Sequence, residues 1–272
     1  MKKIIQKKHL LILVISLSII CLGISIYKII VWNKDSINTN KQLKNIEEIA
    51  EITEKKDSEN TEIIEQEETI PEFNPYWDYI QMNLLDVNFT ELQKTNNEIA
   101  GWIKVNGTNI NYPYVQTNNN AYYLTHSFDK SYNSAGWVFL DYRNNKYNLA
   151  KNNIIYAHGR LDNSMFGSLR KILTSGWLNN TDNHVIRIST ETENTLWQVF
   201  SVYRIPTTND YIQIDFRNTS EFLAFTNKLI NRSAYNFNTT VNGNDVILTL
   251  STCYDDKDKV VLHAKLIKKE KK

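Results

Sequence analysis

Apolar positions along the chain fall into three textures. Residues 10–32 read LLILVISLSIICLGISIYKIIVW, an apolar run that only Lys28 interrupts. Its length matches the ~20 residues that span a bilayer, so it predicts a transmembrane helix. Residues 33–72 then turn polar and acidic, as in NIEEIAEITEKKDSENTEIIEQEETIPEF. Ile46, Ile49 and Ile52 recur at near-helical spacing, but the segment has too little apolar surface for a core and predicts a solvated stalk. The third texture starts at about Phe73 and runs to residue 272. Two helical patterns open it, around PYWDYIQMNLL and NFTELQKTNNEIAGWI, with Thr90 at a capping position. Eight short β-rich runs follow, broken by Asn, Asp and Gly: WIKVNG, INYPYVQ, GWVFLDY, NNIIYAHG, HVIRIST, LWQVFSVYRI, DVILTLSTC and KVVLHAKLI. That spacing predicts a mainly β domain, an antiparallel barrel or sandwich. Two helical interludes interrupt it: MFGSLRKILTSGWL, and TSEFLAFTNKLINR, which opens on a Ser/Thr cap pattern.

Charge orients the apolar run. Lys2, Lys3, Lys7 and Lys8 precede it, so the positive-inside rule puts residues 1–9 in the cytoplasm and the domain outside the cell. A cleaved signal peptide would have an apolar core of ~7–15 residues. This run is longer and ends in Tyr27, Lys28 and Trp32, side chains suited to a membrane interface, and so predicts an uncleaved single-pass anchor. The formal net charge of +1 gives no global electrostatic case for a nucleic-acid partner. Fifteen Tyr and six Trp suit a folded β-rich body.

The chain has two cysteines. Cys21 lies in the apolar run and Cys253 ends DVILTLSTC, so the two cannot pair if one is in lipid. An unpaired cysteine outside the cell raises the prospect of a reactive thiol, the alternative being an inert buried one. At a strand's exit onto the polar turn YDDKDK, Cys253 can be reached by a substrate. Its reactivity needs a base or a lowered pKa. His9 is cytoplasmic, while His184 and His263 lie inside strand-like runs that suit structural roles. His126, in the loop-like YYLTHSF, and His158, at the exit of the strand NIIYA, both remain candidates, with His158 favoured. Histidine before cysteine, each on a strand, argues against papain-like enzymes, whose cysteine comes first and opens a helix. There is no zinc-type spacing and no Gly-rich phosphate loop, so no metal and no cofactor is implied.

TLSTC at 249–253 resembles the signature around the sortase nucleophile, and YAHG at 156–159 resembles that family's histidine motif. GWIKVNGTNINYPYVQ, NNNAYYLTHSF, GWVFLDYRN and SMFGSLRK resemble class B sortases in particular. The helical segment 219–232 fits the extra helix that class B enzymes carry before the last two strands. The matches cover nearly all of residues 73–267. The resemblance implies an eight-stranded β-barrel and a transpeptidation in two acyl transfers. Cys253 would cut a C-terminal sorting signal of a surface protein after threonine, giving a thioester. An amine on a peptidoglycan precursor or cell-wall peptide would then take the protein. His158 would protonate the departing amine and accept a proton from the incoming one.

The family's third residue is an arginine opening the last strand, where KVVLHAKL has Lys259. Lysine keeps the charge but loses the planar two-pronged donor. Either Lys259 holds the oxyanion less tightly, or another cation such as Arg204 or Arg160 reaches the site, or the enzyme is weakened. The resemblance also implies groove roles for Ser251, Asn120, Leu124, Thr207, Tyr211 and Ile212. Two rival readings follow: a sortase-fold binding domain that has lost catalysis, and a cysteine hydrolase that shares the thioester but delivers it to water.

Overall fold

The computed structural model describes residues 2–64, 75–253 and 257–272. The last part of the expected stalk, the expected domain start at Phe73 and the heart of the YDDKDK turn lie outside the described residues.

Each of the eight β-rich runs forms a strand, in the order expected, and together they close a barrel. In chain order, after two short strands β1 (Thr53–Lys55) and β2 (Thr61–Ile63) and a third, β3 (Leu84–Asp86), they are β4 (Ile99–Val105), β5 (Asn111–Val115), β6 (Phe139–Leu140), β7 (Asn152–Ala157), β8 (Val185–Ser189), β9 (Glu193–Pro206), β10 (Ile247–Cys253) and β11 (Asp258–Lys271). The neighbour order β10-β7-β6-β5-β4-β8-β9-β11 returns to its start because β11 also pairs with β10. Closure leaves no barrel edge unpaired, which is how small all-β domains avoid edge-to-edge association. β2 adds to β11 outside the ring, and β1 pairs with β3.

The interior is filled by alternate strand residues, including Trp102, Trp197, Val199, Leu248, Leu250 and Leu262. The β4–β5 turn needs Gly107, whose φ is +69° and whose missing Cβ would lie 2.3 Å from Asn183 Oδ1. Helix α5 (Thr219–Asn231) covers the outer face of β9, β10 and β11 with Phe222, Phe225 and Leu229, against Phe200, Tyr203, Ile247 and Val261. Burying each such side chain contributes about 1.5–3 kcal/mol. Its cap is Asn218, which accepts from the Glu221 N–H at 2.9 Å, rather than a Ser or Thr of the opening TSE. An Asn side chain one residue earlier reaches the same orphan donor. Likewise α3 (Thr90–Thr95) is capped at the Thr90 N–H by Asn88 Oδ1, 3.0 Å away, and not by the Thr90 hydroxyl.

The other helical patterns shrink. PYWDYIQMNLL gives the four-residue α2 (Tyr76–Tyr79), and MFGSLRKILTSGWL gives a 3₁₀ segment (Gly167–Leu173) followed by α4 (Ser175–Leu178).

The first helix departs most from expectation. α1 (Lys2–Ile49) continues unbroken beyond the apolar run, whose side chains are exposed. Further along, Asp35, Ser36, Thr39, Ile46 and Ala50 are buried, so at these positions the segment expected as a solvated stalk packs against the domain, while most of residues 33–64 stay exposed. Their polar side chains dock onto loops, and β1 and β2 extend sheets, interactions that apolar periodicity does not register. Lys268 shows the same economy: fully buried, it donates to Asp57 Oδ1 (2.6 Å) and to the carbonyls of Ile80 and Met82 (both 2.7 Å).

Candidate active site

Strand order and direction bring four strand ends to one rim. β7 and β10 run parallel, with Thr252 opposite Ala157, so the next residues, Cys253 and His158, leave their strands side by side. β11 starts where β10 stops, and Cys253 pairs in register with Lys259. β9 ends there too, with Pro206 opposite Asp258. The backbone of Cys253 therefore lies between those of His158 and Lys259, ~5 Å from its antiparallel partner.

A cleft of about 420 Å³ opens at this rim. Its walls include His158, Lys259, Ser251, Asn120, Leu124, Thr207, Tyr211 and Ile212. His158, Lys259 and the six expected groove residues thus meet around one cavity. Lys259 is the one cationic group among the described residues that line it. The two other cations considered go elsewhere. Arg204 Nε and Nη2 each lie 2.6 Å from Asp258 Oδ2, while Arg160 is buried with Nη2 2.5 Å from Ser36 Oγ. His126 is also drawn away, stacked on Tyr122 at 4.0 Å with Nδ1 2.8 Å from the Tyr122 carbonyl.

His158 is half-buried, and its Nε2 sits 2.8 Å from the Leu124 carbonyl oxygen. A carbonyl only accepts, so Nε2 carries the proton and neutral imidazole keeps its lone pair on Nδ1. The turn presenting that carbonyl is held from behind. Trp137 N–H donates to the Tyr123 carbonyl at 2.8 Å, and Gly136, at φ +61°, lets the two segments approach. A Cβ there would come within 2.5 Å of that oxygen.

Beneath the cleft lies Asp141, which the match GWVFLDYRN contains but to which the sequence assigns no role. Asp141 is fully buried and accepts from Arg143 Nε (2.9 Å) and Nη2 (2.7 Å), the Tyr156 hydroxyl (3.0 Å) and Asn120 Nδ2 (3.1 Å). Arg143 Nη2 also donates to the Ile212 carbonyl at 3.1 Å. One carboxylate thus ties three cleft walls together. Burial by itself raises the Asp141 pKa, but the hydrogen bonds from Arg143 and Tyr156 outweigh it and hold the carboxyl below its ordinary range. The Tyr156 phenol is driven up by burial and by the same carboxylate. An Asp closing the apolar run GWVFLD, with Arg two residues on, is the signal that could have found this hub.

Farther down β10 a neutral chain replaces the charged one. Thr249 Oγ1 donates to Asn152 Oδ1 (2.8 Å) and therefore accepts from His263 Nδ1 (2.9 Å), leaving His263 Nε2 to accept from the Tyr203 hydroxyl (2.8 Å). Burial, aided by the Arg232 charge, pushes the His263 pKa down to about 3. Nearer the rim, the Tyr211 hydroxyl lies 2.9 Å from Ser251 Oγ.

No family model matches the chain. It is 37% identical over 183 residues to Sortase B of Listeria monocytogenes, covering 66% of this chain and 74% of that one. Among solved structures, sortase B from B. anthracis in complex with AAEK1 matches with a TM-score of 0.68 at 33% identity, over 86% of this chain and 99% of that chain. A Staphylococcus aureus sortase B–substrate complex matches with a TM-score of 0.62 at 35% identity, over 66% and 84%.

Proposed function

Because the chain belongs to the class B sortases and is a cysteine transpeptidase of that family, we propose that Cys253 is its nucleophile and His158 its proton-transfer partner at the β7–β10 rim. The single observation that supports this most is convergence: His158 and Lys259 line one cleft, and the strand register sets the Cys253 backbone between them. The thiolate attacks the carbonyl of a threonine in a C-terminal sorting signal. The C–N bond breaks, His158 protonates the departing amine, and a thioester remains on Cys253. A cell-wall peptide amine then attacks, gives its proton to His158, and leaves with the acyl group. Nδ1 of His158 carries these protons, since Nε2 is committed to Leu124. Lys259 places its charge beside the tetrahedral oxyanion, helped by backbone amides near Cys253, an electrostatic contribution that grows in a site closed to water. Ser251, Asn120, Leu124, Thr207, Tyr211 and Ile212 bind the sorting signal, and Asp141 keeps their loops in place. The apolar stretch of α1 anchors the protein in the cell membrane with the N-terminus inside and the barrel outside.

The test is to incubate the full-length protein in detergent with quenched sorting-signal peptides, with and without amine acceptors. Cleavage should be lost in Cys253→Ala, and an amine should divert product from acid to amide. Cleavage persisting in that variant overturns the mechanism, and product that stays free acid at saturating amine makes the enzyme a hydrolase.

A further inference from the structure

The two most exposed large hydrophobic side chains among the described residues, Leu161 at 78% and Tyr132 at 73%, share a location. Each lies in one of the two loops onto which α1 docks just after its apolar run. In the first loop, Arg160 sets its guanidinium 5.0 Å from the Trp32 ring and donates to Ser36, whose hydroxyl donates to Asp162 at 2.6 Å. In the second, the Ser134 N–H and hydroxyl both donate to Asp35, and Asn133 Nδ2 donates to Thr39 Oγ1 at 3.1 Å. Asp35, Ser36 and Thr39 are buried by these contacts. A free tether would leave them in water.

Height above the bilayer follows from helix geometry. Asp35 to Thr39 lie three to seven residues beyond Trp32, or ~5–10 Å at 1.5 Å per residue. Each interfacial zone outside the hydrocarbon core is of similar depth, ~5–8 Å. The docked loops therefore stand at headgroup level, where Trp and Tyr concentrate, and exposed apolar side chains there have a natural partner.

We propose that the loops bearing Leu161 and Tyr132 rest in the headgroup region of the membrane that α1 enters, so that the cleft works at the bilayer surface and not at the end of a flexible stalk. Both loops belong to the support of His158. Phe166 N–H donates to the His158 carbonyl at 3.0 Å across the first loop, and Asn133 N–H donates to the Thr125 carbonyl at 2.9 Å beside Leu124. A sorting signal whose parent protein is still held in the membrane would be met at its own height. The proposal rests on the membrane reading of α1 given above.

The test uses the full-length chain carrying Cys21→Ser and Cys253→Ser, reconstituted in phosphatidylcholine vesicles. Single cysteines at Leu161→Cys, Tyr132→Cys, Trp77→Cys and Ile26→Cys are labelled with an environment-sensitive fluorophore, and lipids doxyl-labelled near the headgroup are the quencher. Labels at 161 and 132 should lose most of their emission, while the label at Trp77, also exposed at 62% but on α2, whose Tyr76 and Tyr79 hydroxyls donate to the carbonyls of Ile64 and Thr181 and not to the docked turns, should keep it. Two outcomes overturn the proposal alone: quenching at 26 with none at 161 and 132, or equal quenching at 77. Absence of quenching at 26 overturns the membrane reading itself, and the proposal with it.

Discussion

Asp141 and His263 are both buried ionisable groups, one just past β6 and the other on β11, and they are held in opposite charge states. Asp141 receives five donors, two from a guanidinium, and stays an anion. His263 receives one hydroxyl proton, gives one ring proton, and has no anion within its hydrogen-bonding reach among the described residues, so it stays neutral. The difference follows what each group joins. Asp141 holds loops, which have no ladder of their own, and charge-assisted bonds of ~1.5–3 kcal/mol supply the missing rigidity. His263 lies between β9 and β10, whose backbones are already fixed through β11, and only needs its polar atoms satisfied. The cleft region should therefore fail in activity when disturbed, and the His263 region in stability.

The strongest attempt to break that division is at the rim. His158→Ala should lower kcat/KM by about 10²–10⁴, the usual range for a general acid–base group, whereas His126→Ala should leave it nearly unchanged. Steady-state kinetics on a sorting peptide decide this, and a reversal would move the proton transfer out of the cleft. Next comes Lys259. If its charge faces the oxyanion, Lys259→Ala loses ~2.7–4 kcal/mol of transition-state stabilisation, or about 10²–10³ in rate, with thermal unfolding little changed. Lys259→Arg should keep or raise activity, since a guanidinium offers two aligned donors. A parent that cleaves nothing while Lys259→Arg cleaves would mark a weakened enzyme.

Asp141→Asn sharpens the comparison from the other side. Denaturant unfolding should show a loss of about 2 kcal/mol, the size of a charge-assisted bond, and kcat/KM should fall about tenfold as Asn120 and Ile212 lose their fixed positions. An unchanged kcat/KM would make the hub structural only. The His263 side of the comparison is tested by pH. Its folded pKa, about 3, lies below the ordinary 6.5, so the unfolded chain binds more protons between those values. Stability is complete above pH 6.5 and falls as pH drops through that window, by ~1.4 kcal/mol per unit from this one group. His263→Gln should flatten the slope, with His184, also lowered by burial, leaving a remainder. A slope unaltered in His263→Gln would mean that the ring is not held neutral.

What was legible in the sequence followed from local pattern. All eight barrel strands alternate or form apolar runs between turn residues, and each emerged, although GWVFLDY pairs over only two residues. TLSTC and YAHG were visible through the resemblance, as short fixed motifs at strand exits. Three-residue strands such as β1 and β2 were not visible, because pairing to an edge depends on a partner distant in the chain. Nor was the docking of Asp35 and Ser36, since polar side chains that bury against polar loops look, in sequence, like solvated ones. Thr208, Asn209 and Tyr156 line the cleft yet sit in runs whose periodicity carries no mark of a cavity.

The parallel pairing of β7 with β10 also fixes when the cleft can exist. Thr252 and Ala157, bonded across it, are 95 positions apart, and contacts of such separation form late because a long loop must close before they contribute. Chains are made N-terminus first, so the histidine strand is complete long before the cysteine strand, and β11, the last element, must seat on both β9 and β10 to shut the ring. A truncated or half-made chain would hold either reactive group without the other. Catalytic competence is in this way a report that synthesis has passed β11.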